Sequence, residues 1–283
     1  MSFLPASSCP PDDESSLEPT RPLRIGAGSF ASIYAIPGRS IVCKVVHVQE
    51  QAAQIKAEYD ILHDVHTRCR ERSPFVVPRA LACFDPHTRE LLFRPLPRRR
   101  GLPPGARAFD PAFFADLPPR ACYVMDRVAP LPPRIARFIR ASVYPAKASG
   151  APAPLICRLY FGKQMRPSAF VNPHNFPVDV SRYERLRKEF PEDLLPVEEV
   201  VEGMAATLSG VHWDAGYDAR DVEFVMAGVA DSAMVGLYLI DFNQTRSFDK
   251  SHADVTALVE AFFINDPYYP RPIPGDPLYE TFN

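Results

Sequence analysis

Thirty-two of the 283 residues are proline, and they cluster: they punctuate residues 5–22, 95–119, 130–154 and 267–277. Proline has no backbone N–H and a fixed φ, so it breaks helix interiors and central strands. Regular elements are therefore expected between these stretches and not within them. The polar, acidic start, residues 1–20, reads as a disordered tail. Residues 94–120 read as a surface insertion whose triplet Arg98-Arg99-Arg100 sits in a solvated loop. A boundary at Ala129-Pro130 divides a first unit, residues 21–128, from a second, residues 129–283.

In the first unit, Leu23 to Ile36 reads as strand, glycine turn, strand, and Ile41 to Val46 as a third strand after the Pro37-Gly38 turn. Ile55, Tyr59, Leu62 and Val65 recur at helical spacing. Ala80–Phe84, Glu90–Phe93 and Ala121–Val128 read as further strands. In the second unit Leu155–Phe161 is a short strand or buried segment, Asn172–Pro177 a loop, and Val180–Phe190 and Val197–Val211 are helices. Ser251–Ile264 is expected as a helix capped by Ser251, with Val255, Leu258, Val259 and Phe262 inward. The fold class expected from this order is α+β.

Hydrophobic residues make up 46% of the chain and the formal net charge is −2, so neither nucleic acid nor an anionic membrane is favoured as partner. No apolar run approaches the roughly 18 residues that span a bilayer, and Met1-Ser2-Phe3-Leu4-Pro5 does not open like a secretory leader. The six cysteines, at 9, 43, 69, 83, 122 and 157, lie mostly in apolar segments and read as buried thiols of a reducing compartment, cytoplasmic or nuclear. His63, His66 and Cys69 recur every third residue, with Cys83 beyond. They lack the paired short spacings of a structural zinc site and read instead as one flank of a helix.

Chemistry concentrates at a few places. Gly26 and Gly28 form a turn between two strands with no helix after them. That excludes a dinucleotide fingerprint and suits a turn whose backbone N–H groups fold over phosphates. Only six lysines stand against 26 arginines, yet Lys44 lies within an apolar strand, where an ammonium needs a partner. Glu58 falls on the inward stripe of the helix and is the expected partner; Glu50, at the helix entry, would only complement the dipole. Farther on, Gly216 to Met226 is an acidic loop running into an apolar strand, and a second strand, Gly236–Ile240, ends at Asp241-Phe242-Asn243. Counting settles the register. Five residues after Asp214 stands Ala219, which cannot bind metal, whereas five after Asp218 stands Glu223, followed by an apolar strand.

This order of features resembles the protein-kinase fold: two lobes, an antiparallel-sheet N-lobe with one helix and a reduced, mostly helical C-lobe. The resemblance implies ATP as cofactor with Mg²⁺ or Mn²⁺. It places Gly26, Gly28 and Ile33 over the nucleotide, Lys44 with Glu58 on its phosphates, and the backbone near Asp126 and Val128 against adenine. It makes Asp218 the proton acceptor, Arg220 a phosphate-steadying cation, and Glu223 and Asp241 the metal ligands. Four sites depart from the pattern. Glu223 stands where the family carries a metal-binding asparagine. Ala31 replaces the third glycine, Gly216-Tyr217 replaces the His-Arg before the base, and Asn243 replaces the last glycine of the Asp-Phe-Gly triplet, where its tolerance of left-handed backbone would serve.

Only 42 residues follow Asp241, so a small-molecule substrate is better supported than a peptide, and no oligomeric state is implied. The strings Asn175-Phe176-Pro177, Leu208–Trp213, Asp218–Val225, Leu239–Gln244 and Asn265-Asp266-Pro267-Tyr268-Tyr269-Pro270-Arg271-Pro272 look like a fungal family of unknown function often labelled "zinc finger protein". Three readings follow from these residues. One is a metal-dependent phosphotransferase with Asp218 as base. The second is a pseudokinase that binds nucleotide or a partner as a regulatory module. The third is an unrelated α+β domain in which Asp218 and Asp221 hold a turn.

Overall fold

The computed structural model describes residues 21–69, 73–93, 109–166, 168, 170–251 and 255–283. The expected tail, the Arg98–Arg100 triplet and Cys9 lie outside them. In chain order the elements are β1 (Leu23–Ala27), β2 (Ala31–Ala35), β3 (Ile41–Val46), α1 (Ala52–Arg68), β4 (Phe75–Val76), β5 (Ala80–Asp85), β6 (Glu90–Leu92), β7 (Cys122–Asp126) and α2 (Pro133–Ser142). They continue with β8 (Cys157–Leu159), β9 (Phe176–Val178), α3 (Val180–Glu189), α4 (Val197–Ser209), a π-helical turn (Gly210–Ala215), β10 (Glu223–Gly228), β11 (Val235–Ile240), α5 (Thr256–Ile264) and α6 (Pro277–Phe282).

The fold is mixed α+β with two sheets. The first is antiparallel throughout, in the order β1-β2-β3-β7-β5-β6, and the second runs β4-β11-β10-β8-β9 with parallel outer pairs. β4 belongs to the first half of the chain yet pairs with β11, so the two halves share a sheet.

Strand alternation sets the layers. On β3, Cys43 and Val45 face one way, toward Ala82, Phe84, Cys122 and Val124, and that face is covered by Phe114 and Leu117. The Phe84 and Phe114 rings stack at 4.5 Å. Residues 109–120, expected as part of a surface insertion, thus close the outer layer of the sheet, because its β-branched and aromatic side chains need a cover. On the opposite face, α1 buries Ile55, Tyr59, Leu62 and Val65. From there one continuous core runs through Phe75 and Phe224 to Val200, Val201 and Met204 of α4.

Four local expectations are corrected. Pro133 and Pro277 stand at the first turn of α2 and α6, where a missing N–H costs no helical hydrogen bond. The Asp276 carboxylate caps α6 by accepting from the N–H groups of Leu278 and Tyr279. Proline-rich stretches therefore start helices here as well as exclude them. Phe176–Val178, expected within or beside a loop, pairs with β8 as an edge strand, which tolerates Pro177.

α5 begins at Thr256, not near Ser251, and buries Leu258 and Ala261 while Val255 and Val259 stay exposed at 43% and 48%. This helix is apolar almost all round, so periodicity could not choose its inner face.

Cys43, Cys83, Cys122 and Cys157 are buried thiols, and burial pushes Cys43 and Cys83 up to about 12. Among the described residues, no helix is long and apolar enough to cross a membrane.

Candidate functional site

A cavity of about 630 Å³ lies between the two sheets, a size that suits a small organic ligand. The glycine turn forms one wall, with Gly26, Gly28 and Phe30, and the turn closes through Gly28 N–H donating to Ala31 O at 2.9 Å. A Cβ added at Gly28 would meet nothing nearer than 4.0 Å. Ile33, Val42 and Met125 line the cavity from the first sheet, Val128 from just beyond β7, and Ile156 and Ile240 from the second sheet. Val42 pairs with Met125, and two residues on Lys44 pairs with Tyr123. The lining therefore passes from apolar to charged over about 7 Å of β3.

At the charged end Lys44 Nζ donates to Glu58 Oε1 at 2.6 Å and to Asp241 Oδ1 at 2.9 Å. Tyr123, its neighbour across the sheet, donates its hydroxyl to the same Glu58 oxygen at 3.1 Å. The Phe30 ring lies 5.7 Å from the ammonium. Burial opposes the charge on Lys44, but attraction from Glu58 and Asp241 outweighs it and raises the lysine's pKa. Two carboxylates share one ammonium, and burial together with the Asp241 charge pushes Glu58 up despite Lys44. Asp241 reaches Lys44 from the end of β11 through a left-handed backbone, φ 62°.

β10 supplies the second charged cluster. Alternation sends Phe224 and Met226 into the main core and puts Glu223 and Val225 on the other face, where Glu223 lines the cavity and Val225 packs with Ala227 and Tyr238. Arg158 of β8 pairs with Val225, one diagonal step from Glu223, and its guanidinium bonds the Glu223 carboxylate. Burial raises Glu223 to about 7; Asp241 and Asp221 add to this and Arg158 opposes it. Arg158 also reaches Asp266 Oδ2 at 3.3 Å, and the Tyr160 hydroxyl donates to the same oxygen at 2.8 Å.

Gly26, Gly28, Ile33, Lys44, Val128, Glu223 and Asp241 therefore line one cavity, with Glu58 directly behind Lys44. Asp126 does not line it. Its N–H bonds Arg79 O at 3.2 Å and its carboxylate holds the Arg79 guanidinium at 2.7 Å, so it anchors β5 instead.

Asp218 and Arg220 also lie elsewhere. The Asp218 side chain is 1% exposed and borders a separate cavity beside His212, Leu258 and Phe262. It accepts the N–H groups of Arg220 at 3.0 Å and Arg246 at 2.8 Å, and Arg246 Nε at 2.7 Å. The expected proton acceptor is a turn-holding carboxylate. The reason is local: Ala219 and Asp221 both adopt left-handed backbone, φ 55° and 62°, which redirects the loop within three residues. Asp221, not Asp218, faces the charged end of the cavity. Burial and the Asp241 charge raise its pKa, and Gln244 donates to its carboxylate at 2.6 Å. The left-handed tolerance expected to matter at Asn243 is used at Asp241 instead.

The segment Asn265–Pro272 ties this loop down. Asn265 is buried; its Oδ1 accepts the Asp221 N–H at 2.7 Å and its Nδ2 donates to Ala219 O at 2.9 Å. Arg271 donates to Phe262 O and to Asn265 O and lies over the Phe262 ring. Sequence reading found this string but no role for it, since its partners are more than 40 residues away. Arg158 was missed altogether, although the argument applied to Lys44 identifies it: it is the one charge in the apolar run Leu155–Phe161.

A divalent metal bridging Glu223 and Asp241 does not fit this arrangement, because each carboxylate already meets a side-chain cation. Nor do His63, His66, Cys69 and Cys83 converge; His66 Nδ1 bonds Val77 O at 2.7 Å. Among the described residues no three His, Cys, Asp or Glu side chains form a group able to hold a metal ion.

No curated protein matches the chain. A family model described as "Zinc finger protein" matches residues 237–281. Over that stretch, which runs from β11 through Asp241 to Asn265 and α6, the chain is similar to that family.

Proposed function

We propose that this chain is a nucleotide-binding module with a two-lobed, protein-kinase-like layout, which holds ATP or ADP in the cavity between the sheets. The observation that carries the reading is the Lys44–Glu58–Asp241 triad beneath a glycine turn, at the charged end of an otherwise apolar slot. An apolar slot suits a heterocyclic base, and a glycine turn with open space at Gly28 above a fixed ammonium suits phosphate. Binding without phosphoryl transfer is favoured over catalysis because the carboxylate expected to take the hydroxyl proton, Asp218, is buried against Arg246.

ATP or ADP is expected to raise the unfolding temperature, with about 2.7 kcal/mol of stabilisation at a hundredfold excess over Kd. Gly28→Asp is expected to abolish that shift without lowering the unliganded melting temperature, since the position is open and its φ is not left-handed. No stabilisation by any nucleotide, with or without metal, would end this reading.

Asp218→Asn separates structure from chemistry. The amide places an N–H against Arg246 Nε, and the expected cost is about 2 kcal/mol of stability with nucleotide affinity unchanged. A stable variant with wild-type melting and lost ATP turnover would restore Asp218 as a catalytic residue.

A second reading, phosphotransfer, rests on Asp221, whose raised carboxylate faces the cavity. ATP turnover that disappears in Asp221→Asn would favour it.

A further inference from the structure

We infer that Arg158 replaces a divalent cation in this site, so that the nucleotide binds without metal and ADP binds as well as ATP. The inference rests on the nucleotide reading above and names the ligand state that the cavity takes.

In a metal-assisted nucleotide site, carboxylates at the ends of adjacent strands are left open to an ion that bridges them to phosphate oxygens. Here one oxygen of each strand-end carboxylate is already held by a side-chain cation. Glu223 is bonded by the Arg158 guanidinium and Asp241 by the Lys44 ammonium. Asp221 accepts from Gln244. Arg158 is itself held in place by its strand pairing with Val225 and by Asp266, to which Tyr160 also donates. A hydrated Mg²⁺ at Glu223 would have to displace a charge-assisted pair that the strand geometry has already aligned.

The lining itself carries three cations, Lys44, Arg127 and Arg158, against Asp221, Glu223 and Asp241, while Glu58 and Asp266 bond Lys44 and Arg158 from outside it. With no ion to hold a terminal phosphate, the fixed contacts available are those of the turn and Lys44. With a base in the apolar end, these groups would meet the phosphates nearest the nucleoside, so a third phosphate is expected to add little.

Kd values for ATP and ADP, measured by calorimetry on the full chain in millimolar Mg²⁺ and again in EDTA, test the idea. All four values are expected to agree within about threefold. Loss of tenfold or more of ATP affinity in EDTA overturns the inference and leaves the nucleotide reading standing. Failure to bind in either condition overturns both.

Arg158→Met frees Glu223, and this variant is expected to bind ATP at least about tenfold more tightly with Mg²⁺ than without. If it folds and stays indifferent to metal, Arg158 is not the substitute. Should it fail to fold, Glu223→Gln provides the check. It removes the candidate metal ligand and is expected to leave affinity the same in Mg²⁺ and EDTA; a loss confined to the Mg²⁺ condition overturns the inference.

Discussion

Phe224→Ala is expected to lower the free energy of unfolding by about 4 kcal/mol, the middle of the range for deleting a buried aromatic ring. Phe224 is fully buried on β10, the strand that begins with Glu223. Its ring meets Phe75 edge-on at 4.8 Å and faces Tyr268 and Tyr269 at 6.2 and 6.3 Å. Phe75 comes from β4, the strand that the first half of the chain lends to the second sheet. Tyr268 and Tyr269 belong to the segment that fastens the Asp218–Glu223 loop. One ring thus joins three parts of the molecule that are remote in sequence. The three rings that meet it are rigid and fixed by their own segments, so the cavity left by alanine closes only in part. Urea denaturation gives the value; a loss below about 2 kcal/mol would mean that these contacts rearrange freely.

Glu58→Ala is expected to cost about 3 kcal/mol, the low end for removing one partner of a buried ion pair. The loss is moderated because Asp241 still holds the ammonium at 2.9 Å. It is not abolished, because the Tyr123 hydroxyl loses its acceptor and Lys44 remains buried. The double variant Lys44→Met with Glu58→Leu is expected to be more stable than Lys44→Met alone, since losing Lys44 strips both Glu58 and Asp241 of their cation and the second change removes the more deeply buried of the two carboxylates. Additive losses in the double variant would show that the two residues are not coupled.

Lys44 and Glu58 were legible in the sequence because a single charge on an apolar stripe demands an opposite one, and the helical and strand periods placed both on inward faces. Their contact at 2.6 Å follows from those two local facts. The glycine turn and the carboxylates at the ends of β10 and β11 were legible for a similar reason: turn residues and strand ends are short-range features. Asp218 was expected beside Glu223 because counting five residues assumes a uniform path; the structure places it at a separate cavity. Two left-handed residues, Ala219 and Asp221, turn the chain between them, and nothing in an alanine announces a positive φ.

Prolines show the same division. Their clustering ruled out helix interiors and central strands, but whether a given proline ended an element or began one depended on what followed. Pro133 and Pro277 opened helices whose later residues had apolar surfaces to cover.

By itself the sequence determined the α+β class, the order of most strands and helices, and the ammonium–carboxylate pair at the cavity's charged end, all of which rest on periodicities spanning a few turns or strands. Only the tertiary structure decided which side chains share the cavity. It brought Arg158 onto Glu223 across a strand pair, turned Asp218 away, and set Asn265 against a loop more than 40 residues upstream. Those choices depend on strand register and on the sign of φ at two residues, and neither quantity has a periodic trace in the chain.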